Sequence, residues 1–480
     1  IALDLFDNGL QGTFPDELGY LGESLERLDL SGSKLEGTLP VSLVNLTGLT
    51  ELRLERCAIS GVIPPSLFTL PKLKILDMDS NKITGPLPPT IRLATSMDRM
   101  YLDNNTLTGT IPFEIGDMTA LTELYLNDNA FTGLLPATIS EIPDLKELGL
   151  HGNALTGTIP EQLSRLKWLT ALYLDNNELT GKIPAWLNGL TKLTDLRLHR
   201  NQFKGPLPHL GGLMQLELLY LHENELTGTL PDWMWMLGSM LELQLYSNSL
   251  VGTIPDEVAN LRNLRVLYLD KNHLTGSLSS YFGDMPTLEY LRLDDNRLTG
   301  SLPGLLNQMR ALRKLHLHGN LLTGTIPSLE QVKDLEVLYL DNNTLGGPIP
   351  DNIGSMTSLK KLHLSLNFLT GEIPPSVGEL YRLKDLSLNS NRLTGSIPLE
   401  VKGLTGLRVL SLSNNFLTGS MPQEMGEMES LRLLQLEGNQ ITGTTPRAVC
   451  DLSEAELNVF IADCGGWFPK VQCTCCTSCV

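Results

Sequence analysis

The sequence predicts an α/β-type solenoid in which short parallel β-strands stack into one continuous sheet. Three observations support this prediction: a fixed period of mostly 24 residues, a Gly and a Pro at constant places in the period, and apolar residues at constant places between them. A chain with a regular repeat of about 20 to 50 residues buries its apolar faces by stacking neighbouring units. The period therefore decides the fold class before any single residue is considered.

A polar residue, usually Asn, marks the same place in each period. Gly follows it four residues later in every unit, and Pro follows seven residues later except in the unit that carries Ser279. Two units are one residue short, after Pro208 and after Pro327, and we expect these deletions to affect only the convex side. The sequence predicts nineteen repeats, whose marker residues are Asn8, Ser33, Cys57, Asn81, Asn105, Asn129, Asn153, Asn177, Asn201, Asn224, Asn248, Asn272, Asn296, Asn320, Asn343, Asn367, Asn391, Asn415 and Asn439.

Each repeat is predicted to contribute one short strand. The segment around Met100 and Leu102 has apolar residues at alternate positions, which point into the solenoid while the intervening residues face solvent. The Asn that follows turns inward, where its amide can bond backbone groups and form an internal ladder. Ser33 and Cys57 can make only part of these bonds, and we expect Cys57 to be a small buried thiol. The Gly suits a tight bend with positive φ.

The full pattern, L-x-x-L-x-L-x-x-N-x-L-T-G-x-I-P-x-x-L-G-x-L, resembles the leucine-rich repeat. The form with Leu-Thr-Gly-x-Ile-Pro is similar to the subclass typical of plant receptor-kinase ectodomains and polygalacturonase-inhibiting proteins. The resemblance covers residues 1 to about 449. It implies a leucine-rich repeat superhelix with a concave parallel β-sheet and a short second sheet formed after the Asn.

Composition and length limit the classes of protein and partner. A solenoid grows by addition, so residues 1–449 are predicted to form one elongated domain. The formal charge of -18 argues against nucleic acid and anionic membranes as partners. An apolar run of 18 residues is absent, so a membrane anchor is expected only outside this chain. Ile1 falls inside the first repeat, from which we expect the N-terminal cap and any signal peptide to lie upstream.

Six of the seven cysteines fall in the last 31 residues, which are predicted to form a C-terminal cap at 450–480. An even number suggests three disulfides, for which fifteen pairings are possible, and a metal cluster is the alternative. The segment resembles the caps of leucine-rich repeat proteins from diatom genomes. The cysteines expected to pair are Cys450, Cys464, Cys473, Cys475, Cys476 and Cys479.

Disulfides imply an oxidising compartment, so the chain is predicted to be extracellular or at the cell surface. Three Asn-x-Thr sequons, at Asn45, Asn104 and Asn342, are candidate glycosylation sites and are compatible with secretion. Because the repeat is rich in Asn and Thr, these sequons are close in number to a chance expectation.

The solvent-facing strand positions stack into columns across the repeats, and function is expected there. Six of the eleven tyrosines occupy the column four residues before the marker Asn. Strand propensity alone also favours tyrosine, which is the simpler explanation. Clustered bases strengthen the case in repeats eight to eleven, which gives a candidate ligand-binding patch of Tyr173, Arg197, His199, Arg200, Tyr220, His222 and Tyr246.

Two groups of residues on this face are candidates for binding a metal. His199 and His222 lie in one column on adjacent repeats, but Arg197 and Arg200 beside them would repel a cation. The acidic group at Asp77, Asp79 and Asp103 could bind calcium, but a solvated acidic face is the simpler interpretation. The sequence therefore predicts no metal site and no cofactor.

The sequence contains no catalytic motif, and an open sheet offers no closed pocket, so an enzyme is not predicted. The preferred hypothesis is an extracellular recognition domain, either a receptor ectodomain or a secreted binder or inhibitor, which binds a protein, peptide or anionic glycan on its concave face. The alternative is a structural or adhesive component of a cell surface or extracellular matrix. Because unperturbed histidines titrate near pH 6.5, anion binding by the candidate patch is expected to strengthen as the pH falls through that value.

Overall fold

The computed structural model describes residues 1–453, 456–465 and 470–480, and its backbone divides into two compact units, 1–240 and 241–480. Each unit is a solenoid of stacked parallel strands, as the repeat predicts. In both units one repeat supplies a strand of a long sheet, a turn, a strand or extended segment of a second layer, and in most repeats a single turn of 3₁₀-helix. A strand of the long sheet begins six residues before each marker residue.

The first unit contains ten strands of the long sheet. Adjacent strands pair in parallel and in register, so that Leu28 lies opposite Leu52 and Leu52 opposite Leu76, and all three side chains are fully buried. The column of central leucines is therefore the core side of the sheet. The strands are Ala2–Asp4, Arg27–Asp29, Glu51–Arg53, Ile75–Asp77, Arg99–Tyr101, Glu123–Tyr125, Glu147–Gly149, Ala171–Tyr173, Asp195–Arg197 and Leu218–Tyr220.

The second layer of this unit is a row of strands that follow the marker residues. They are Gln11–Thr13, Lys34–Gly37, Ala58–Val62, Lys82–Gly85, Thr106–Thr110, Ala130–Leu134, Ala154–Gly157, Glu178–Gly181, Gln202–Pro206 and Glu225–Thr229. The 3₁₀-helices come next in each repeat, at Asp16–Ser24, Val41–Asn45, Pro65–Thr69, Pro89–Leu93, Phe113–Asp117, Ala137–Glu141, Glu161–Arg165, Ala185–Gly189 and Asp232–Met236.

The second unit repeats this arrangement. Its long sheet contains Glu242–Gln244, Val266–Tyr268, Tyr290–Arg292, Lys314–His316, Val337–Tyr339, Lys361–His363, Asp385–Ser387, Val409–Ser411, Leu433–Gln435, Val459–Ala462 and Ser478–Cys479. The second-layer strands are Ser249–Thr253, His273–Ser277, Arg297–Thr299, Gly346–Gly347, Phe368–Leu369, Gly443–Thr444 and Val471–Gln472. The 3₁₀-helices are Asp256–Asn260, Ser280–Asp284, Gly304–Gln308, Ile353–Ser355, Pro375–Glu379, Leu399–Gly403 and Gln423–Glu427, and an α-helix spans Arg447–Ser453.

The predicted asparagine ladder is present. The Asn177 Nδ2 donates to the carbonyls of Leu150 at 3.0 Å and Leu174 at 3.2 Å, and its Oδ1 accepts from the Leu155 N–H at 3.0 Å. Equivalent bonds are present from Asn81 to Asn439, at marker asparagines that are buried or half-buried, whereas Asn8 of the first repeat is exposed. Each amide therefore joins two repeats through backbone groups that no strand satisfies.

Cys57 takes the place of the asparagine in the third repeat. Its Sγ donates to the carbonyls of Leu30 at 3.5 Å and Glu55 at 3.6 Å, so it supplies part of the ladder. The thiol is half-buried rather than fully buried as expected, and burial raises its pKa. Cys57 is the only free cysteine among the described residues.

The Gly four residues after each marker has the positive φ that the sequence predicts. Gly133 has a φ of +80°, and a Cβ added there would lie 2.9 Å from the Thr110 Cγ2 of the preceding repeat. Both the left-handed backbone and the close approach require a residue without a side chain.

Two departures from the repeat change the convex layer. In the fully described segments 207–217 and 326–336, which are the short repeats, no 3₁₀-helix forms. Ser279 replaces the proline before the helix Ser280–Asp284, where its hydroxyl accepts from the Tyr281 N–H at 3.1 Å and donates to Asp256 at 2.7 Å. This serine caps the helix by a side-chain hydrogen bond, which proline cannot make.

The six C-terminal cysteines form three disulfides, Cys450–Cys475, Cys464–Cys479 and Cys473–Cys476. The cap also extends the long sheet, because Val459–Ala462 pairs with Leu433–Gln435 of the last repeat. Its Asp463 carboxylate accepts from the N–H groups of Gly438 at 3.0 Å and Asn439 at 3.1 Å. Phe460 is fully buried, so the cap covers apolar residues that the last strand would otherwise expose. Within the described segments, none of the helices has the length and apolar character needed to cross a membrane.

Candidate ligand-binding face

The strand face is defined here as the outward side of the long sheet, formed by the first and third residues of each strand and the residue two positions before each marker. In the first unit its aromatic column begins with Tyr101 and Tyr125, whose ring centroids are 5.7 Å apart. The hydroxyl of each donates to a glutamate on the next strand, Glu123 and Glu147 respectively. These rings are held at fixed angles and half exposed.

Gly149 replaces the next tyrosine of this column and lets the rings close over it. The Tyr125 ring lies across the gap, with its centroid 6.4 Å from that of Tyr173. A Cβ on Gly149 would lie 2.5 Å from the Tyr125 Cδ1. The glycine therefore keeps the aromatic column continuous across a strand that carries no outward side chain at this position.

Arg197 lies between two tyrosines of the column. Its guanidinium carbon is 4.8 Å from the Tyr173 ring centroid and 5.2 Å from that of Tyr220. The Asp195 carboxylate accepts from Arg197 Nε at 3.0 Å and from Nη2 at 2.8 Å. Burial raises the pKa of Tyr173 to about 12, and the Asp195 carboxylate adds to the rise. The result is a rigid cation–π stack, with each ring half exposed.

The two histidines of the patch are stacked on each other. The ring centroids of His199 and His222 are 4.1 Å apart at an interplanar angle of 24°, and His199 Nε2 is 3.3 Å from Asp175 Oδ2. Burial, with Arg200 nearby, lowers the pKa of His199 to about 4, and burial with His199 nearby lowers that of His222 to about 3. The expected titration near pH 6.5 is therefore wrong, because both rings are too buried to be protonated there.

The positive character expected of this patch is also largely neutralised. Arg197 is paired with Asp195, and Arg200 Nε lies 3.2 Å from both carboxylate oxygens of Glu223. Arg200 has a φ of +52°, in the left-handed turn just before Asn201. The two arginines therefore present little net positive charge to an anionic partner.

The seven predicted patch residues fall in both units. Tyr173, Arg197, His199, Arg200, Tyr220 and His222 belong to the first unit, where contacts join them. Tyr246 belongs to the second unit, where its ring centroid lies 6.4 Å from that of Tyr268.

The second unit carries its own row of aromatic rings and basic side chains. Arg292 lies over the Tyr268 ring at 5.4 Å. Further along, Tyr339 stacks on His363 with centroids 4.3 Å apart and lies 4.7 Å from His316. Both strand faces therefore combine aromatic rings with cationic or imidazole groups.

An acidic cluster lies earlier on the first unit's strand face. Carboxylate oxygens of Glu55, Asp77 and Asp79 lie within 4.8 Å of one another, and Asp77 is 4% exposed. Burial, together with Asp79 and Glu55, raises the pKa of Asp77 to about 8. Burial also raises the pKa of Asp103 to about 6. These carboxyl groups are less solvated than the sequence suggested, since parallel stacking places them side by side in two adjacent columns.

The residues that orient the patch were not singled out from the sequence. Asp195 lies two positions before Arg197 on the same strand and therefore on the same face, and Glu223 follows Arg200 one repeat later. That spacing was the available signal for both ion pairs. The three sequon asparagines Asn45, Asn104 and Asn342 are all exposed, and glycosylation there stays a prediction.

Family models agree with the repeat pattern. Models described as leucine rich repeat match residues 95–155, 143–203, 262–322 and 381–441, and a second leucine rich repeat model matches 24–46, 48–70, 72–93, 215–237, 334–356 and 358–380. The chain belongs to the leucine-rich repeat family. A comparison with curated protein sequences gives no significant match.

Solved structures extend this relationship to plant receptor ectodomains. The plant peptide hormone receptor RGFR1, in complex with RGF2, is 34% identical with a TM-score of 0.91, and the alignment covers 98% of this chain and 74% of that one. The Arabidopsis receptor kinase HAESA, in complex with the peptide hormone IDA and the co-receptor SERK1, is 32% identical with a TM-score of 0.75 and coverages of 97% and 87%. PEPR1 with AtPEP1 is 30% identical with a TM-score of 0.63 and coverages of 98% and 80%.

The compartment follows from these relationships and from the cap. Three disulfides require an oxidising environment, and the similar structures of RGFR1 and HAESA are those of plant receptors. The leucine-rich repeat chain is therefore extracellular or lies at the cell surface.

Proposed function

We propose that this chain is an extracellular recognition domain that binds a peptide or protein along its strand face. The observation that carries the proposal is the stack of Tyr173, Arg197 and Tyr220, which is rigid, half exposed and aligned across repeats eight to ten. Rings and guanidinium groups that are fixed before binding lose little conformational entropy when a partner covers them. Similarity to ectodomains solved with peptide hormones supports a peptide as the partner.

The Leu-Thr-Gly-x-Ile-Pro form supports a finer assignment to the plant receptor-like subclass, and the cysteine spacing after residue 450 supports a cap like those of diatom proteins. In this proposal residues 1–449 form the recognition solenoid and residues 450–480 close its C-terminal end. The adhesive or structural alternative is less favoured, because the ordered aromatic and charged groups lie on the strand face.

A binding screen tests the proposal directly. The purified chain would be panned against a random peptide library, and a selected peptide would be measured by calorimetry against Tyr173→Ala and Tyr220→Ala. Each substitution is expected to weaken binding by roughly 30-fold, as at an interface hot spot of about 2 kcal/mol.

Tyr20→Ala and Arg165→Ala are matched controls. Both residues are exposed on 3₁₀-helices of the same unit, and Tyr20 is 87% exposed. These controls should leave affinity unchanged. Peptides that bind equally well to the strand-face variants, or that lose affinity only with the controls, would reject the proposed face.

A further inference from the structure

Two histidines and an aspartate converge on the strand face of the second unit. The residues are Asp294, His316 and His318, carried by the neighbouring strands Tyr290–Arg292 and Lys314–His316 and the residues that follow them. One donor atom from each lies within 4.8 Å of the other two. This set differs from the acidic cluster of the first unit because it contains imidazole nitrogens.

The distances are close to those around a tetrahedral transition-metal ion. His318 Nε2 lies 3.5 Å from Asp294 Oδ2, and His316 Nδ1 lies 4.0 Å from Asp294 Oδ1. Zinc bonds of about 2.0 to 2.2 Å in tetrahedral geometry place neighbouring donor atoms about 3.4 Å apart. The observed separations need only a small side-chain shift to reach that value.

The side chains of this cluster are held in place by burial and by ring contacts. The side chains of Asp294 and His316 are 1% and 16% exposed. The Tyr339 ring lies 4.7 Å from that of His316 and 5.9 Å from that of His318, so it limits the orientations of both imidazoles. The second ring nitrogens, His316 Nε2 and His318 Nδ1, are buried without a hydrogen-bond partner.

Arg292 is the nearest fixed positive charge, and its contacts allow a cation beside it. Its Nη2 lies 3.0 Å from Asp270 Oδ2 and 3.3 Å from Asp294 Oδ2. Asp270 therefore compensates the positive charge of Arg292. The guanidinium can also donate to the Asp294 carboxylate, which is the role of a hydrogen-bond partner that orients a metal ligand.

We propose that Asp294, His316 and His318 bind one divalent transition-metal ion, with zinc as the best match to two imidazoles and a carboxylate. Three protein ligands leave a coordination position open on the strand face for water or for a donor atom of a bound molecule. His199 and His222, the pair that was rejected as metal ligands from the sequence, have stacked rings with centroids 4.1 Å apart. The sequence predicts no metal site on this face.

The experiment uses the whole chain with Cys57→Ser, which removes the free thiol as a competing ligand. Zn²⁺ alone is titrated by calorimetry at neutral pH, and Co²⁺ is titrated by visible absorption, whose band intensity reports tetrahedral coordination. One ion per chain is expected. His316→Ala and His318→Ala should each weaken binding by about 100-fold or more and remove the tetrahedral Co²⁺ bands.

His273→Ala is the matched control, since His273 is exposed on a second-layer strand of the same unit. It should leave affinity and spectrum unchanged. His318→Gln, which keeps most of the side-chain volume, replaces the alanine variant if metal-free thermal unfolding shows that the latter is misfolded. Absence of stoichiometric binding, equal affinity in the His316 and His318 variants, or loss of binding in His273→Ala would each overturn the proposal.

Discussion

The guanidinium of Arg197 is held over the Tyr173 ring by Asp195, which lies two residues earlier on the same strand. This pairing holds Arg197 in a cation–π contact of 4.8 Å, which is shorter than its 5.2 Å contact with Tyr220. Asp195 is 8% exposed, so the carboxylate acts beneath the arginine rather than at the surface. A ligand would meet the arginine and the rings, whose positions the aspartate determines.

Asp195→Asn should therefore weaken binding of a selected peptide without removing any surface group that touches it. An amide has a single acceptor oxygen and no charge, so the bidentate pair is lost and Arg197 gains freedom that binding must remove. We expect roughly ten-fold weaker binding in calorimetry. In an Arg197→Ala background, the same Asp195→Asn change should cause little further loss of affinity. A double-mutant cycle with full additivity would show that the two residues act separately.

The pH dependence of binding by this patch should be flat between about pH 7.5 and 5.5, because His199 and His222 stay neutral there. Stability behaves differently. The His199 pKa is lowered from 6.5 to about 4 in the folded chain, so between these two pH values the unfolded chain binds more protons than the folded chain. The free energy of unfolding should therefore decrease as the pH falls from 6.5 toward 4.

His199→Gln tests this linkage, since it removes the titrating group while Asp175, Arg197 and Arg200 remain. Chemical denaturation at several pH values should show a shallower loss of stability in the variant. An identical slope in both proteins would mean that His199 titrates normally when folded. A peptide affinity that rises on acidification through pH 6.5 would contradict the flat binding profile.

The sequence predicted the parts of the structure that repeat. Apolar spacing fixed the register of Leu28, Leu52 and Leu76, because any other pairing would turn a whole column toward water. The inward asparagines were predictable for the same reason, since their position recurs with the strand. The absence of 3₁₀-helices in the two short repeats was not, because one deleted residue can be absorbed in several turn conformations.

The position of the candidate site was predictable from the sequence, but the neutralisation of its arginines was not. Column arguments correctly placed Tyr173, Arg197 and Tyr220 together. They could not show that Asp195 and Glu223 neutralise the arginines, since this depends on side-chain rotamers rather than on spacing. They also missed the Asp294, His316 and His318 cluster, which joins residues from different columns on two adjacent repeats.

Asn177→Ala should lower the free energy of unfolding by about 1–3 kcal/mol, because several backbone partners of its amide lose their hydrogen bonds inside the solenoid. The measurement is chemical denaturation, with Asn260→Ala as the control. Asn260 is exposed at the end of a 3₁₀-helix, and its loss should change little. Equal effects at the two positions would show that the ladder does not stabilise the fold.

Gly149→Ala should destabilise the first unit by about 1–3 kcal/mol, because its Cβ would meet the Tyr125 ring at 2.5 Å. In a Tyr125→Ala background the same change should be nearly neutral, since the obstructing ring is absent. Gly304→Ala, where an added Cβ meets nothing within 4 Å, is the control for a glycine replaced without a clash. A Gly149→Ala effect that persists without the Tyr125 ring would point to a backbone requirement instead.

Two disulfides of the C-terminal cap close chain loops of very different length. Cys450–Cys475 spans 25 residues and ties the helix Arg447–Ser453 to the C-terminal segment, whereas Cys473–Cys476 spans 3 residues. In the chain-entropy description, loops of these lengths contribute about 3.5 and about 1.6 kcal/mol, so paired Ser substitutions should destabilise the cap more at Cys450 and Cys475. Hydrogen exchange of the strand Leu433–Gln435 measures this, since it forms the last repeat's edge against the cap. Faster exchange is expected after loss of the longer link, and equal protection in the two double variants would show that loop length does not govern closure of this end.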